Sequence, residues 1–132
     1  MSSIANMLVQ LKNAQAAGLS NVTVPFSRMK FEIAKVLEKR GFIEEVEEKK
    51  KKMRKAEVPC LSLKLKYEDG VGAINGIKLV SKQSRRVYVQ KADLKPVRSG
   101  YGILVVSTSK GLMTGDEARK AGLGGEALFE IW

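Results

Sequence analysis

Residues 102–132 read in order as a strand, a short capped helix and a second strand, a series that only a mixed helix-and-sheet fold accommodates. GILVVST (102–108) is the most apolar strand pattern in the chain. TGDEARKAG (114–122) is written as a helix: Thr114 and Glu117 have the spacing of a capping box, and Gly122 suits the C′ position. ALFEIW (127–132) closes the sequence as a strand.

The same vocabulary organises the earlier part. Ile4, Met7, Leu8 and Leu11 follow the i, i+3, i+4, i+7 rule and predict an amphipathic helix over 4–17, with Ser2 or Ser3 to cap it and Gly18 to end it. NVTVP (21–25) is a β-branched strand stopped by Pro25. A second helix starts at the cap Ser27, with Phe26 and Phe31 at the positions of a hydrophobic staple. Ile33, Ala34 and Leu37 supply its buried face, Lys39 and Arg40 suit the negative end of its dipole, and Gly41 breaks it.

Residues 42–57, FIEEVEEKKKKMRKAE, admit two readings. Glu45–Lys49, Glu47–Lys51 and Glu48–Lys52 are favourable i, i+4 helix pairs. Phe42, Ile43 and Val46 instead begin the segment like a strand, and VPCLSLKLKY (58–67) alternates Leu61, Leu63, Leu65 and Tyr67 in strand fashion. An antiparallel hairpin whose tip carries the basic run 49–55 is the preferred reading. A glycine-containing break, EDGVGAING (68–76), divides the chain into 1–69 and 70–132. After it come two strands, INGIKLVS and RRVYVQ, and a turn through Asp93–Val97, where Pro96 opposes a long helix. The predicted class is α+β (mixed α/β): two small subdomains, the first helix–strand–helix–hairpin and the second a small sheet with one helix.

Charge points to the partner. The 132 residues hold 24 Lys and Arg against 14 Asp and Glu, a net charge of +10. A small domain so basic repels itself unless something acidic neutralises it. Between Lys78 and Lys110 stand eight cations (Lys78, Lys82, Arg85, Arg86, Lys91, Lys95, Arg98, Lys110) and one acid, Asp93, an electrostatic footprint for nucleic acid or else a solvated basic face. No apolar run approaches the roughly 20 residues that span a bilayer, and the N-terminus lacks the pattern of a signal peptide, so a cytoplasmic life is expected. Cys60 is the single cysteine, which leaves no internal disulfide and no cysteine-based zinc site. Histidine is absent, which removes the commonest general acid/base near neutral pH and the commonest metal ligand. No cofactor or metal is expected.

Ser107, Thr108 and Ser109 follow the most apolar strand directly. Three small hydroxyl side chains let a backbone approach a ligand closely, and each both donates and accepts. The same residues can form a turn that caps its own backbone, and that is the reading the residues alone favour. Gly124-Gly125-Glu126 is similarly a tight connection more readily than a phosphate cradle, since the P-loop pattern needs a Lys-Ser/Thr pair that is missing here.

The segment STSKGLMTGDEARKAGLGGE closely resembles the C-terminal signature of the bacterial small-subunit ribosomal protein eight family. The resemblance continues through IANMLVQLKNA, VPFSRMKFEIAKVLEKRGFI and RRVYVQKADLKPVRSGYGILVVSTSKG, nearly the whole chain. It implies a two-domain α/β protein without catalysis, whose C-terminal half is a small mixed sheet with one helix. It also implies binding to the central domain of small-subunit ribosomal RNA during assembly, beside neighbouring small-subunit proteins such as protein five. A similar element in the protein's own operon messenger is an alternative target, through which it would repress translation. Neither DNA nor a membrane is an expected partner. By position, Ser107, Thr108 and Ser109 resemble the family's RNA-contacting loop, continued by Lys110 and Gly111. Gly124, Gly125 and Glu126 would form its neighbouring wall, and Tyr88 resembles the strand tyrosine beside the site. Glu126 would accept from a base amino group or anchor the hydroxyl loop, and Arg28, Lys30, Arg85 and Arg86 would contact phosphate. The chain departs from the family pattern at SKQSRRVY, which lacks Pro-Gly, and at the lysine-rich KKKKMRK. An enzyme, for instance a nuclease using Asp116 and Glu117, is the competing class; those acids are better explained as favourable charges at a helix N-terminus.

Overall fold

The computed structural model describes residues 3–94 and 102–132. The chain forms two compact units that divide between Ile74 and Asn75. The predicted turn residues Pro96 and Val97, the cap candidate Ser2, and Lys95 and Arg98 of the basic stretch lie outside the described residues.

The first unit begins with α1 (Ser3–Ala16), β1 (Asn21–Pro25) and α2 (Arg28–Lys39), followed by β2 (Ile43–Met53) and β3 (Ala56–Leu65). The sheet order is β1-β3-β2, antiparallel throughout. Leu61, Leu63 and Leu65 alternate onto one face of β3, and Met7, Leu8, Leu11, Ile33, Ala34 and Leu37 from the helices are buried with them. Both helices end as their glycines predict. Leu19 N–H bonds Ala14 O at 2.9 Å behind Gly18 (φ 72), and Phe42 N–H bonds Leu37 O at 2.9 Å behind Gly41 (φ 81), a pattern that satisfies the last carbonyls. Ser27 caps α2 by accepting from Lys30 N–H at 3.1 Å, and the Phe26 and Phe31 rings meet at 6.3 Å as the staple. The Glu38 carboxylate accepts from Val46 N–H at 2.9 Å and ties α2 to β2.

Residues 42–57 form the hairpin and not the helix. The basic run is placed differently from the expectation, however: Met53 pairs with Ala56, so the turn is only Arg54–Lys55 and Lys49–Lys52 lie within β2. Pairing along the whole of β3 extends β2 past the point where a longer loop would begin. The expected break also holds a small hairpin, β4 (Tyr67–Glu68) with β5 (Val71–Gly72). Residues 70–74, assigned from sequence to the second part, belong to the first unit: the Gln15 side chain donates to Ile74 O at 2.6 Å and accepts from Ile74 N–H at 3.0 Å.

The second unit comprises β6 (Ile77–Leu79), β7 (Tyr88–Val89), a 3-10 turn at Lys91–Asp93, β8 (Ile103–Thr108), β9 (Gly111–Thr114), α3 (Gly115–Ala121) and β10 (Gly125–Ile131). The order is β6-β10-β8-β9, with β7 also on β10. Every described pair is antiparallel, so the sheet is not the mixed one expected. The reason is local: α3 carries the chain from β9 to β10 across β8, and the two parallel strands never become neighbours. Thr114 caps α3, accepting from Glu117 N–H at 3.2 Å and donating to the Glu117 carboxylate at 3.1 Å, and Gly122 adopts the left-handed conformation at its end. Ala118 packs on Val106 and Leu94, with Leu104, Met113 and Val89 at the margin.

Candidate nucleic-acid interface

The face of the sheet opposite α3 is set by alternation from Val106 and Val89, so Ser107 and Tyr88 point away from the helix. Register does the rest. Glu126 of β10 lies opposite Ser107 of β8 on one side and opposite Tyr88 of β7 on the other, and Ser107 in turn lies opposite Leu112 of β9. Opposed residues share a face. Tyr88, Glu126, Ser107 and Leu112 therefore form one line across four strands, about 14 Å long at ordinary strand spacing. Tyr88 is 73% exposed, an unusual state for an aromatic ring.

The hydroxyl residues lead into a tight turn. Ser107 and Thr108 end β8, Ser109–Lys110 make the reversal, and Gly111 (φ 108) begins β9. Thr108 closes the turn on itself: its hydroxyl donates to Gly111 O at 2.8 Å and accepts from Lys110 N–H at 3.1 Å. Of the three hydroxyls only one closes the turn. Thr108 does the capping, whereas the Ser107 and Ser109 hydroxyls have no partner among the described residues. Ser109 and Lys110 are exposed.

Gly124 and Gly125 set the spacing of this surface. A methyl group on Gly125 would lie 2.2 Å from Ser107 O, and one on Gly124 would lie 2.4 Å from Val89 O. Only glycine lets β10 lie this close to β8 and β7 here. Their part is close backbone approach.

The cations divide into two groups. Arg86 pairs with Glu126 at 3.2 Å, the carboxylate side chain being 18% and the arginine 55% exposed. Glu126 is therefore tied to Arg86 and makes no bond to the loop hydroxyls, so of the two roles expected for it the anchoring one is not realised here. The ion pair also removes the repulsion a lone carboxylate would present to phosphate. Arg85 sits in an excursion between β6 and β7, where Lys82 and Arg85 exchange backbone hydrogen bonds at 2.8 and 3.0 Å. Ser81, which sequence reasoning passed over, seals that excursion: its hydroxyl donates to Ala127 O at 2.6 Å and accepts from Val87 N–H at 2.9 Å. Strand β9 was missed as well, and with it Leu112, the last member of the line.

Arg28 and Lys30 belong to the other unit, in the first turn of α2. The Arg28 side chain is 84% exposed and reaches Glu32 at 3.4 Å. Lys30 as a residue is only 6% exposed. Its stem is covered, and since no buried side-chain nitrogen among the described residues lacks a partner, its ammonium reaches the surface.

The sequence matches the family model described as ribosomal protein S8 over residues 2–132. The chain belongs to the ribosomal protein S8 family. It is accordingly a ribosomal protein of the small subunit. Among the described residues no cluster of acidic, cysteine or histidine side chains could hold a metal, and no helix is long and apolar enough to cross a membrane.

Proposed function

We propose that this protein binds the central domain of small-subunit ribosomal RNA through the line Tyr88–Glu126–Ser107 and the Ser109–Lys110 turn, and supports small-subunit assembly through that contact. The observation that carries the proposal is the convergence, by strand register, of an exposed aromatic ring, an acceptor carboxylate and the unpartnered Ser107 hydroxyl on one face, next to the turn that exposes Ser109. Irregular RNA exposes unpaired bases, which proteins read by stacking and by hydrogen bonds to base edges. Tyr88 is placed to stack. Ser107, Ser109 and Glu126 offer donors and acceptors that match base edges and 2′-hydroxyls, and Arg86 balances the Glu126 charge. Lys82, Arg85 and Lys110 flank the line and would hold phosphate, fixing orientation without reading sequence. Arg28 and the surface-reaching ammonium of Lys30 add phosphate contacts from the first unit. A neighbouring small-subunit protein such as protein five, and an operon messenger folded into a similar element, are the further partners this reading carries.

Catalysis has no part in it. Asp116 bonds Arg119 at 3.3 Å and Glu117 is taken up by the Thr114 cap, so both acids are accounted for by the first turn of α3.

Affinity measured on a central-domain fragment of the protein's own small-subunit RNA, and on unrelated RNA of equal length, tests the proposal. The cognate fragment is expected to bind more tightly. Its log affinity should fall linearly with log salt, with a slope magnitude of roughly 3–6 if about that many phosphates are neutralised. Equal affinity for both RNAs would contradict recognition, and a salt-independent affinity would contradict the phosphate contacts.

A further inference from the structure

From the β2–β3 arm we infer a second RNA-binding element, one that grips phosphate backbone without reading sequence. The arm is built unlike the rest of the first unit. β1 pairs with β3 only from Cys60 to Lys64, so beyond Pro59 the hairpin is a two-stranded ribbon. Its residues from Glu47 to Pro59 are exposed, leaving aside the side chain of Met53, which is not described. A bare two-stranded hairpin is marginally stable in water at best, so this ribbon is not explained by what it contributes to packing.

Its charge works against it. Residues 49–57 hold six cations (Lys49, Lys50, Lys51, Lys52, Arg54, Lys55) and one acid, Glu57. A hairpin can offset such a run by placing acids across the strands. Here Lys49, Lys50 and Lys51 face Cys60, Pro59 and Val58, and only Lys52 faces an acid, Glu57. Lys49 reaches Glu47 at 3.5 Å, while Lys50, Lys51, Lys52, Arg54 and Lys55 have no ion pair among the described residues. The turn keeps a cation where turn chemistry would favour glycine or asparagine, for Arg54 takes φ 55. Such self-repulsion is relieved by an external polyanion.

The arrangement also says which polyanion. Successive side chains along a strand alternate between faces, so Lys49 and Lys51 point one way and Lys50 and Lys52 the other, same-face neighbours lying about 6.6 Å apart. Arg54 and Lys55 cover the end. Cations on both faces and at the tip match two phosphate rows, one on either side of the ribbon, as where two RNA strands run past each other. An acidic protein surface would be expected to meet apolar anchors at its centre. The ribbon offers Val58, 39% exposed, as its one large apolar side chain among those described. The identity of the ligand as RNA rests on the proposed function; the binding itself does not depend on the Tyr88–Ser107 line.

The test is the full chain carrying K50Q, K51Q, K52Q and K55Q together, compared with the corresponding four Lys→Arg changes and with the parent. Affinity is measured by filter binding on the central-domain RNA fragment and on an unrelated RNA duplex, over a salt series, with a melting curve for each protein. The glutamine variant should lose about tenfold or more on both RNAs at low salt, with the salt slope reduced by roughly 2–4, the scale of that many lost phosphate contacts. The arginine variant should keep both. Unchanged affinity and slope in the glutamine variant would overturn the inference, leaving the arm to a protein partner. Loss confined to the central-domain RNA would overturn it too, since backbone contacts do not select sequence. An arginine variant that fails like the glutamine one, while melting as the parent does, would show that charge is not what the arm supplies. If the parent binds both RNAs equally and the glutamine variant weakens both, the arm stands and the recognition surface of the proposed function falls.

Discussion

Alanine at Gly125 is expected to destabilise the second unit by about 3 kcal/mol, the upper end of what overpacking a fitted site costs. The added methyl would lie 2.2 Å from Ser107 O and 3.2 Å from Thr108 Cα, and both neighbours are backbone. No rotamer change relieves such a clash. β10 would have to move off β8, which breaks pairing at the Glu126–Ser107 position and pulls apart the line that carries the proposed site. Trp132, the single tryptophan, lies in the same unit against Gly76, so denaturant unfolding followed by its fluorescence reports the effect directly. A variant within about 0.5 kcal/mol of the parent, the range of an ordinary surface change, would show that β8 and β10 are not held this closely.

The largest effect on binding without loss of fold is expected from Tyr88→Ala. Stacking of a base on an aromatic side chain contributes about 1–3 kcal/mol by alanine substitution, about fivefold to beyond a hundredfold in affinity. Tyr88 is 73% exposed and has no side-chain hydrogen bond among the described residues, so the melting temperature should stay where it is. Tyr88→Phe keeps the ring and should keep most of the affinity. An alanine variant that binds the central-domain fragment as the parent does would remove Tyr88 from the site. A phenylalanine variant as weak as alanine would assign the effect to the phenol oxygen instead of the ring.

The legible parts of this fold are those with local chemistry. Caps and stops at Ser27, Gly41, Thr114 and Gly122 could be read because a side-chain oxygen or a left-handed glycine satisfies orphan backbone groups within a few residues. The hairpin could be read from Leu61, Leu63 and Leu65, but not its length. Glu–Lys spacing along 45–52 also fits a helix, and the choice falls to pairing with β3, a partner outside the local pattern. β9 escaped because its four residues, GLMT, sit between a turn and a helix cap and become a strand only beside β8. Lys30 carried a signal that was not used. With Ile33, Ala34 and Leu37 it occupies the i, i+3, i+4, i+7 face of α2, and its burial follows from that face.

The proposed site could be read as a set of residues through family resemblance, and as a surface only through register. Nothing local brings Tyr88 to Glu126, or Glu126 to Ser107; β10 does so by running between β7 and β8. The pairing of Arg86 with Glu126 spans 40 positions, beyond the reach of any local pattern. Among the three hydroxyls, sequence offered two roles for one loop, and the structure gives the capping role to Thr108 alone.

The central claim, that the turn after β8 recognises RNA and is not merely a turn, is tested most directly by Ser109→Ala. Its hydroxyl is exposed and has no partner among the described residues, so the fold should not notice its removal. The measurement is the ratio of affinities for the central-domain fragment and for unrelated RNA, taken at one salt concentration, with a melting curve alongside. The ratio is expected to fall about five- to tenfold, the scale of one hydrogen bond of roughly 1 kcal/mol or slightly more, while non-specific binding, which comes from Lys and Arg, and the melting temperature stay constant. A melting temperature lowered by several degrees with the ratio unchanged would make the loop structural and contradict the account.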